Sequence, residues 1–292
     1  MKLTLKPLFC CHFISLIALI LIFAPIGSFA AGLDRELEGQ IEGYIKSLRG
    51  KGAVSPNERT AWLVYDFTSG QKLASINENI RLQAASMIKP YLALAFFHQV
   101  QAGRIIYGSA SRRNMELMIQ KSNNDATNWV MKQTGGPAAT QALLKRYYPG
   151  LCQQISLVEY IPSNGRTYRN MGSAGDYARF LQALWSRQLP QSTEILRLMG
   201  LPGIDRLYSD ARRVPSGTAV FNKTGSTSMC CGDMGILVAR GRNGRTYPYI
   251  VIGIIESGAR STSYGTWISR RADVIREVSN ITYLSMKKRH HL

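Results

Sequence analysis

Three short stretches carry residue types that could do chemistry together. In "QAASMIKPYLALAFF" (83–97), Ser86 and Lys89 stand directly in front of an apolar run. An amine at the mouth of a buried helix is costly to desolvate. Residues three apart on a helix share a face, so Lys89 is within reach of the Ser86 hydroxyl. Burial disfavours the ammonium form and lowers a lysine's pKa. A neutral amine can take the serine proton, which is how a weak nucleophile is activated. "KSNNDATNWV" (121–130) supplies Ser122 and Asn124, and "FNKTGSTS" (221–228) supplies Lys223, Thr224 and Gly225. Singly these read as a helix start, a helix N-cap and a strand turn. In this order, on a helix, a helical segment and a strand, they are hard to obtain by accident, and they single out Ser86 as an activated nucleophile.

The elements that must position these residues follow from periodicity. Leu33, Leu37, Ile41 and Ile45 recur at steps of four, the apolar face of a helix over 33–48. "TAWLVYDFTSG" (60–70) and "QKLASINEN" (71–79) read as two strands of a hairpin. An apolar helix covers about 86–98. The pattern is helical over 111–146, broken by "TGGP" (134–137). Residues 156–172 form a long loop rich in turn residues, and such loops are often functional. "SAGDYARFLQALW" (173–185) has a helix start signal. A Pro/Gly-rich stretch then leads to three strands, "TAVFNKTGS", "MGILVAR" and "YPYIVIGIIES", and a closing helix over 265–285. Helices thus sit between two sets of strands. The expected fold is α+β in three layers, α/β/α. One antiparallel sheet is built from both chain ends (33–84 and 205–292), with a helical lobe (85–204) inserted.

With its motifs in this order, the chain resembles the penicillin-recognising serine hydrolases, specifically the class A β-lactamase branch. The resemblance covers nearly all of residues 31–292. "SNNDATN" (122–128) is close to that family's "SDNTAAN", with Asn123 where class A enzymes usually carry aspartate. The resemblance implies Ser86 as nucleophile, Lys89 as its base and Ser122 as proton relay to the leaving nitrogen. It implies Asn124 on the substrate's side-chain amide, and Lys223, Thr224 and Ser226 on its carboxylate. The backbone N–H groups of Ser86 and Ser226 would form the oxyanion hole that a tetrahedral intermediate needs. Gly225 would let a substrate strand lie close against this edge.

A β-lactamase must also hydrolyse its acyl-enzyme. In class A a glutamate on the long loop activates the water, with an asparagine four residues on. Glu159 is the sole acid in 156–172, and Asn164 lies five residues on. The arginine usual before that glutamate is absent, because Leu157 and Val158 occupy the place. Asp176 matches the aspartate that anchors the loop. The interval from Ser86 to Ser122 is shorter than in typical class A enzymes, so the helical lobe is trimmed. "MCCGDMG" (229–235) stands where many relatives place an arginine for the substrate carboxylate, and Arg270 or Arg271 could substitute. The expected activity is opening of β-lactam amides through a Ser86 acyl-enzyme. The alternatives are a D,D-peptidase acting on peptidoglycan stem peptides, which present the same amide and carboxylate, and a non-catalytic penicillin or muropeptide sensor. An intact nucleophile and base argue against the sensor.

Composition sets the outer bounds. Lys2 and Lys6, the apolar block "FISLIALILIF" (13–23) and small residues around Ala30 have the layout of a secretory signal peptide over 1–30. The alternative is an uncleaved membrane anchor. The expected localisation is therefore periplasmic or secreted. Without Lys2 and Lys6 the chain keeps 34 Lys+Arg against 18 Asp+Glu. Such a basic exported protein suits anionic cell-wall polymer or acidic ligands, and the scatter of its cations argues against nucleic acid. "KKRHHL" at the end reads as a solvated terminus. Export permits a disulfide. A 230–231 bridge would be strained; Cys152 could pair with either neighbour, with one thiol over, and the sequence leaves the pairing open. No Cys/His cluster has metal-ligand spacing, and neither a metal nor another cofactor is expected. A monomer is expected.

Overall fold

The structure is a computed structural model that describes residues 35–161 and 169–292. The chain divides into two units, Met1–Ala30 and Ala31–Leu292. The signal-peptide reading and Asn164 lie outside the described residues.

Helix α1 (Arg35–Gly50) leads into the hairpin β1 (Arg59–Asp66) and β2 (Gln71–Ile76). A two-residue strand β3 (Leu82–Gln83) precedes a 3-10 turn (Ala85–Ile88) and helix α2 (Lys89–Gln101). Helices α3 (Ser109–Ile119), α4 (Asn124–Gln133) and α5 (Gly136–Tyr147) follow. A two-residue strand β4 (Met171–Gly172) then precedes α6 (Ala174–Trp185) and α7 (Ser192–Met199). Strands β5 (Ala219–Ser226), β6 (Cys230–Arg240) and β7 (Thr246–Glu256) and helix α8 (Tyr264–His290) close the chain.

The sheet order is β2-β1-β7-β6-β5, antiparallel throughout, so the N-terminal hairpin joins the C-terminal meander along β1 and β7. Both faces are covered, and alternation sorts the side chains between them. Ile250, Ile252 and Ile254 of β7 pack with the helical lobe, while Tyr249, Val251 and Ile255 pack with α1 and α8. Each such aliphatic side chain contributes about 1.5–3 kcal/mol by leaving water. The three-layer α+β arrangement is the one read from the sequence.

Three local outcomes differ from the sequence pattern. The helix expected from Ser86 begins as a 3-10 turn and becomes α-helical only at Lys89. Pro90 lies in the first turn of α2, where its missing N–H costs no helical bond, and Lys89 before it keeps α geometry (φ −61°, ψ −37°). Helix α7 occupies part of the Pro/Gly-rich stretch, with Ile195, Leu196, Leu198 and Met199 buried. The terminal "KKRHHL" is not a free tail. It is the last turn of α8, and Leu292 folds back, its N–H bonded to the Lys287 carbonyl. Cys152, Cys230 and Cys231 are all buried free thiols. Cys230 and Cys231 face opposite cores, as neighbours on a strand must.

Candidate active site

Ser86 is delivered by a turn clamped on both sides. Strand β3 pairs with β4, Leu82 opposite Gly172 and Gln83 opposite Met171. The Ala84 N–H bonds to the Asn170 carbonyl at 2.9 Å. Ala85 then adopts φ +44°, a left-handed conformation that costs a non-glycine residue about 1–2 kcal/mol. The 3-10 bonding starts with the Met87 N–H on the Ala84 carbonyl, so the Ser86 N–H has no acceptor within the turn. That leaves it available to an oxyanion. Gly225 lies behind, not in front. A Cβ there would sit 3.1 Å from the Ala85 Cβ and 3.0 Å from Met87 Cγ. Gly225 thus lets β5 lie flat on the turn that carries Ser86.

Lys89 is fully buried. Its Nζ lies 2.6 Å from the Ser122 carbonyl oxygen, 3.1 Å from Ser122 Oγ and 3.1 Å from Asn124 Oδ1. Burial, and then the charge of Lys223, push its pKa down to about 6. The amine therefore links the α2 start to the Ser122–Asn124 segment. Ser86 Oγ is not among its hydrogen-bond partners in the described structure. Ser122 is itself left-handed at φ +55°. Asn123 caps α4, its Oδ1 accepting the Ala126 N–H at 2.8 Å, which is why asparagine serves there as well as aspartate.

Lys223 is buried on β5, and its pKa falls to about 8, lowered by burial and the Arg206 charge and supported by Asp233. Arg206 is a functional candidate that sequence reasoning missed. Its Nη2 donates to Ser226 Oγ at 2.6 Å and its Nη1 to the Gly232 carbonyl at 2.7 Å. Asp233 accepts the Arg206 N–H at 2.7 Å and the Asn222 amide at 2.9 Å. Burial holds the Asp233 carboxyl up at about 6 despite these contacts. Arg271, by contrast, is taken. It forms a bidentate pair with Glu58 (2.6 and 2.7 Å) on the far side of the sheet. Arg270 is exposed on α8. The guanidinium at Ser226 comes from Arg206, not from α8.

Ser86, Asn124 and Ser226 line one cleft with Thr227, Ile161 and Asn170. A second hollow reaches Ser122, Lys223 and Thr224. The three sequence motifs therefore converge.

Glu159 does not line the cleft. Its Oε1 accepts the Arg169 N–H at 2.9 Å, and its Oε2 lies 3.9 Å from the Arg169 guanidinium. Ile161 forms the cleft wall instead, held by Asn128 through two bonds to its backbone (Nδ2 to the carbonyl at 2.5 Å, N–H to Oδ1 at 2.9 Å). Asn170 secures the same segment through the Val158 and Glu159 N–H groups. Asp176 anchors the loop's start, accepting the N–H groups of Gln153, Gln154 and Ile155 at 3.1, 2.6 and 2.7 Å. No group of potential metal ligands occurs among the described residues.

A family model described as "Beta-lactamase enzyme family" matches residues 42–108 and 111–283. The chain belongs to the β-lactamase enzyme family. Solved structures agree in fold. PBP-A superposes with a TM-score of 0.72 at 22% identity, covering 88% of this chain and 98% of that one. A point mutant of PBP-A, in an acyl-enzyme complex with penicillin G, gives 0.70 at 22% identity over 88% and 99%. An ancestral class A β-lactamase (GNCA) gives 0.65 at 19% identity over 84% and 100%. A search of curated protein sequences found no match. Within this family fold, the serine, the buried lysine and the Lys-Thr-Gly strand make a serine hydrolase type of reaction the natural chemistry of the cleft.

Proposed function

We propose that this β-lactamase-family chain is an exported serine acyl-transferase of the D,D-peptidase type. In this reading Ser86 opens the terminal amide of peptidoglycan stem peptides, and β-lactams trap it as a long-lived acyl-enzyme. Lys89, neutral near pH 7, accepts a proton as Ser86 attacks, either directly after a small shift or through Ser122, whose hydroxyl already touches the amine. Ser122 passes a proton to the leaving nitrogen. The Ser86 N–H and a backbone donor of β5 receive the oxyanion. Asn124 meets the side-chain amide. Lys223, Thr224 and Ser226, with Arg206 behind Ser226, meet the carboxylate.

The observation that carries the slow second step is Ile161. An apolar side chain forms the wall beside Ser86, and no carboxylate lines that cleft among the described residues. Water beside Ile161 has no carboxylate there to activate it, and Lys89 is engaged with Ser122 and Asn124. The likeness to PBP-A, one mutant of which has been captured as a penicillin acyl-enzyme, is in keeping with this reading. The second reading is a β-lactamase that uses Glu159, which lies on the loop beside Ile161 with its carboxylate partly exposed. Time-resolved intact mass after mixing with a penicillin separates the two. A persistent adduct on Ser86 supports the first, and rapid return to the free mass supports the second. No adduct and no turnover removes both.

A further inference from the structure

The end of the molecule opposite the cleft carries a concentration of positive charge that the acyl-transfer chemistry does not use. Strand β6 starts beside Ser226, which is paired with Cys231, and runs to Arg240, about 33 Å away at ~3.3 Å per residue. There the β6–β7 turn presents Arg240, Arg242 and Arg245, all exposed. The last turn of α8 lies against this turn. The His290 ring is 5.0 Å from the Tyr247 ring, and Leu292 reaches within 3.6 Å of the Cβ position of Gly241. Lys287 and Lys288 are exposed on that helix end.

Two further segments meet here. His290 bonds to Asp66 at 2.8 Å at the end of β1, and Lys288 bonds to Glu36 at 3.0 Å in the first turn of α1. Of the acids at this end, Asp66 is buried, Glu38 accepts the Ser75 N–H, and Glu36 is exposed but engaged by Lys288. Cations at a helix C-terminus also complement the helix dipole. That accounts for Lys287 and Lys288 but not for the three arginines of the neighbouring turn.

The chain itself says which anion this end meets. Arg35, the first residue of α1, lies twelve residues beyond Phe23, the end of the apolar block 13–23. Where that block is retained as the membrane anchor, a link of this length reaches at most about 40 Å, which keeps the start of α1 near the bilayer. An apolar segment and a polybasic face are the two signals that together hold a protein on an anionic bilayer.

We propose that the face made by the β6–β7 turn and the end of α8 docks on a bilayer of anionic phospholipid. Docked so, the molecule stands with its cleft about 33 Å from the headgroups, turned toward the space where a wall polymer lies. The proposal is independent of which reaction the cleft performs.

The test is binding of the full chain to vesicles of pure phosphatidylcholine and of phosphatidylcholine with ~30% phosphatidylglycerol. Each Lys or Arg near an anionic surface contributes about fivefold in affinity. The triple variant Arg242→Gln, Arg245→Gln, Lys287→Gln is therefore expected to lose about 100-fold toward the anionic vesicles only. A matched triple variant on the helical lobe, Lys132→Gln, Lys145→Gln, Arg146→Gln, is expected to bind as the wild type does. Melting curves by circular dichroism establish that both variants are folded. Equal affinity of the wild type for the two vesicle types overturns the proposal. So does equal loss in the two triple variants, which would make the effect one of net charge. Tighter capture by soluble polyphosphate than by the anionic vesicles would assign the face to a polymer and overturn lipid docking.

Discussion

Lys89 Nζ and Ser122 are in direct contact, at 2.6 Å from the carbonyl oxygen and 3.1 Å from Oγ. The base is thus seated on the proton relay before any substrate arrives. Its pKa of about 6 and that of Lys223, about 8, bracket neutral pH. The working form of Lys89 is neutral, so acylation should rise with pH through about 6. The working form of Lys223 is charged, so acylation should fall as pH passes about 8. Stopped-flow acylation by a chromogenic β-lactam between pH 5 and 10 should give this bell. Lys89→Ala should slow acylation by roughly 10²–10⁴ near pH 7 and remove the acid limb. An acid limb that survives in the variant places the base elsewhere.

Ile161 and Glu159 give opposite expectations for deacylation. Ile161→Glu places a carboxylate in the wall beside Ser86, held by the same two Asn128 contacts to the backbone. It should speed decay of the penicilloyl enzyme by about 10²-fold or more, read by intact mass. Glu159→Gln should leave that decay unchanged, since its carboxylate is engaged with Arg169. Slower release in Glu159→Gln would restore the β-lactamase reading.

What the sequence reveals and conceals here has a physical pattern. The strands and long helices were legible because each buries a face whose period shows locally, as in Leu37, Ile41 and Ile45 of α1. The three motifs were legible because their residue types are unusual where they stand. Arg206 was not. It sits in a turn-rich stretch with no periodicity, and its partners Ser226 and Gly232 lie about twenty and more residues away. Ile161 was equally silent, since its place in the wall comes from Asn128, 33 residues earlier. At Gly225 the motif marks the glycine, and only packing shows that the Ser86 turn lies against it.

Arg206 and Arg271 can be told apart by what their removal does. Arg206→Gln takes a charged donor from Ser226 and should lower the second-order rate constant for acylation by carboxylate-bearing penicillins by about 10–100-fold, the value of a hydrogen bond to a charged group. Arg206→Lys should recover part of this loss. Arg271→Gln leaves Glu58 buried without its bidentate partner and should cost about 3–5 kcal/mol of stability. Its acylation rate constant should stay that of the wild type. Acylation kinetics with thermal melts on the three variants check the contrast, and slowed acylation in Arg271→Gln would return the carboxylate site to α8.

Gly225→Ala tests whether β5 positions the nucleophile from behind. Gly225 carries no positive φ, so the added methyl meets no backbone penalty of its own. It meets Met87 Cγ at 3.0 Å, the Ala85 Cβ at 3.1 Å and the Ala84 carbonyl oxygen at 3.2 Å. Met87 can move, but Ala85 and Ala84 are backbone-fixed by β3 and by the Asn170 carbonyl. The turn must therefore shift and carry Ser86 with it. A displacement of even a fraction of an ångström at a nucleophile lowers the rate steeply, because a near-attack geometry tolerates little error. Overpacking of this kind costs about 1–3 kcal/mol. Gly225→Ala should thus lower both the melting temperature and the acylation rate, with noncovalent penicillin affinity changing less than the rate. Presteady-state acylation over a range of penicillin concentrations separates the two. A variant with wild-type acylation and weakened affinity would mean that the glycine faces the substrate after all.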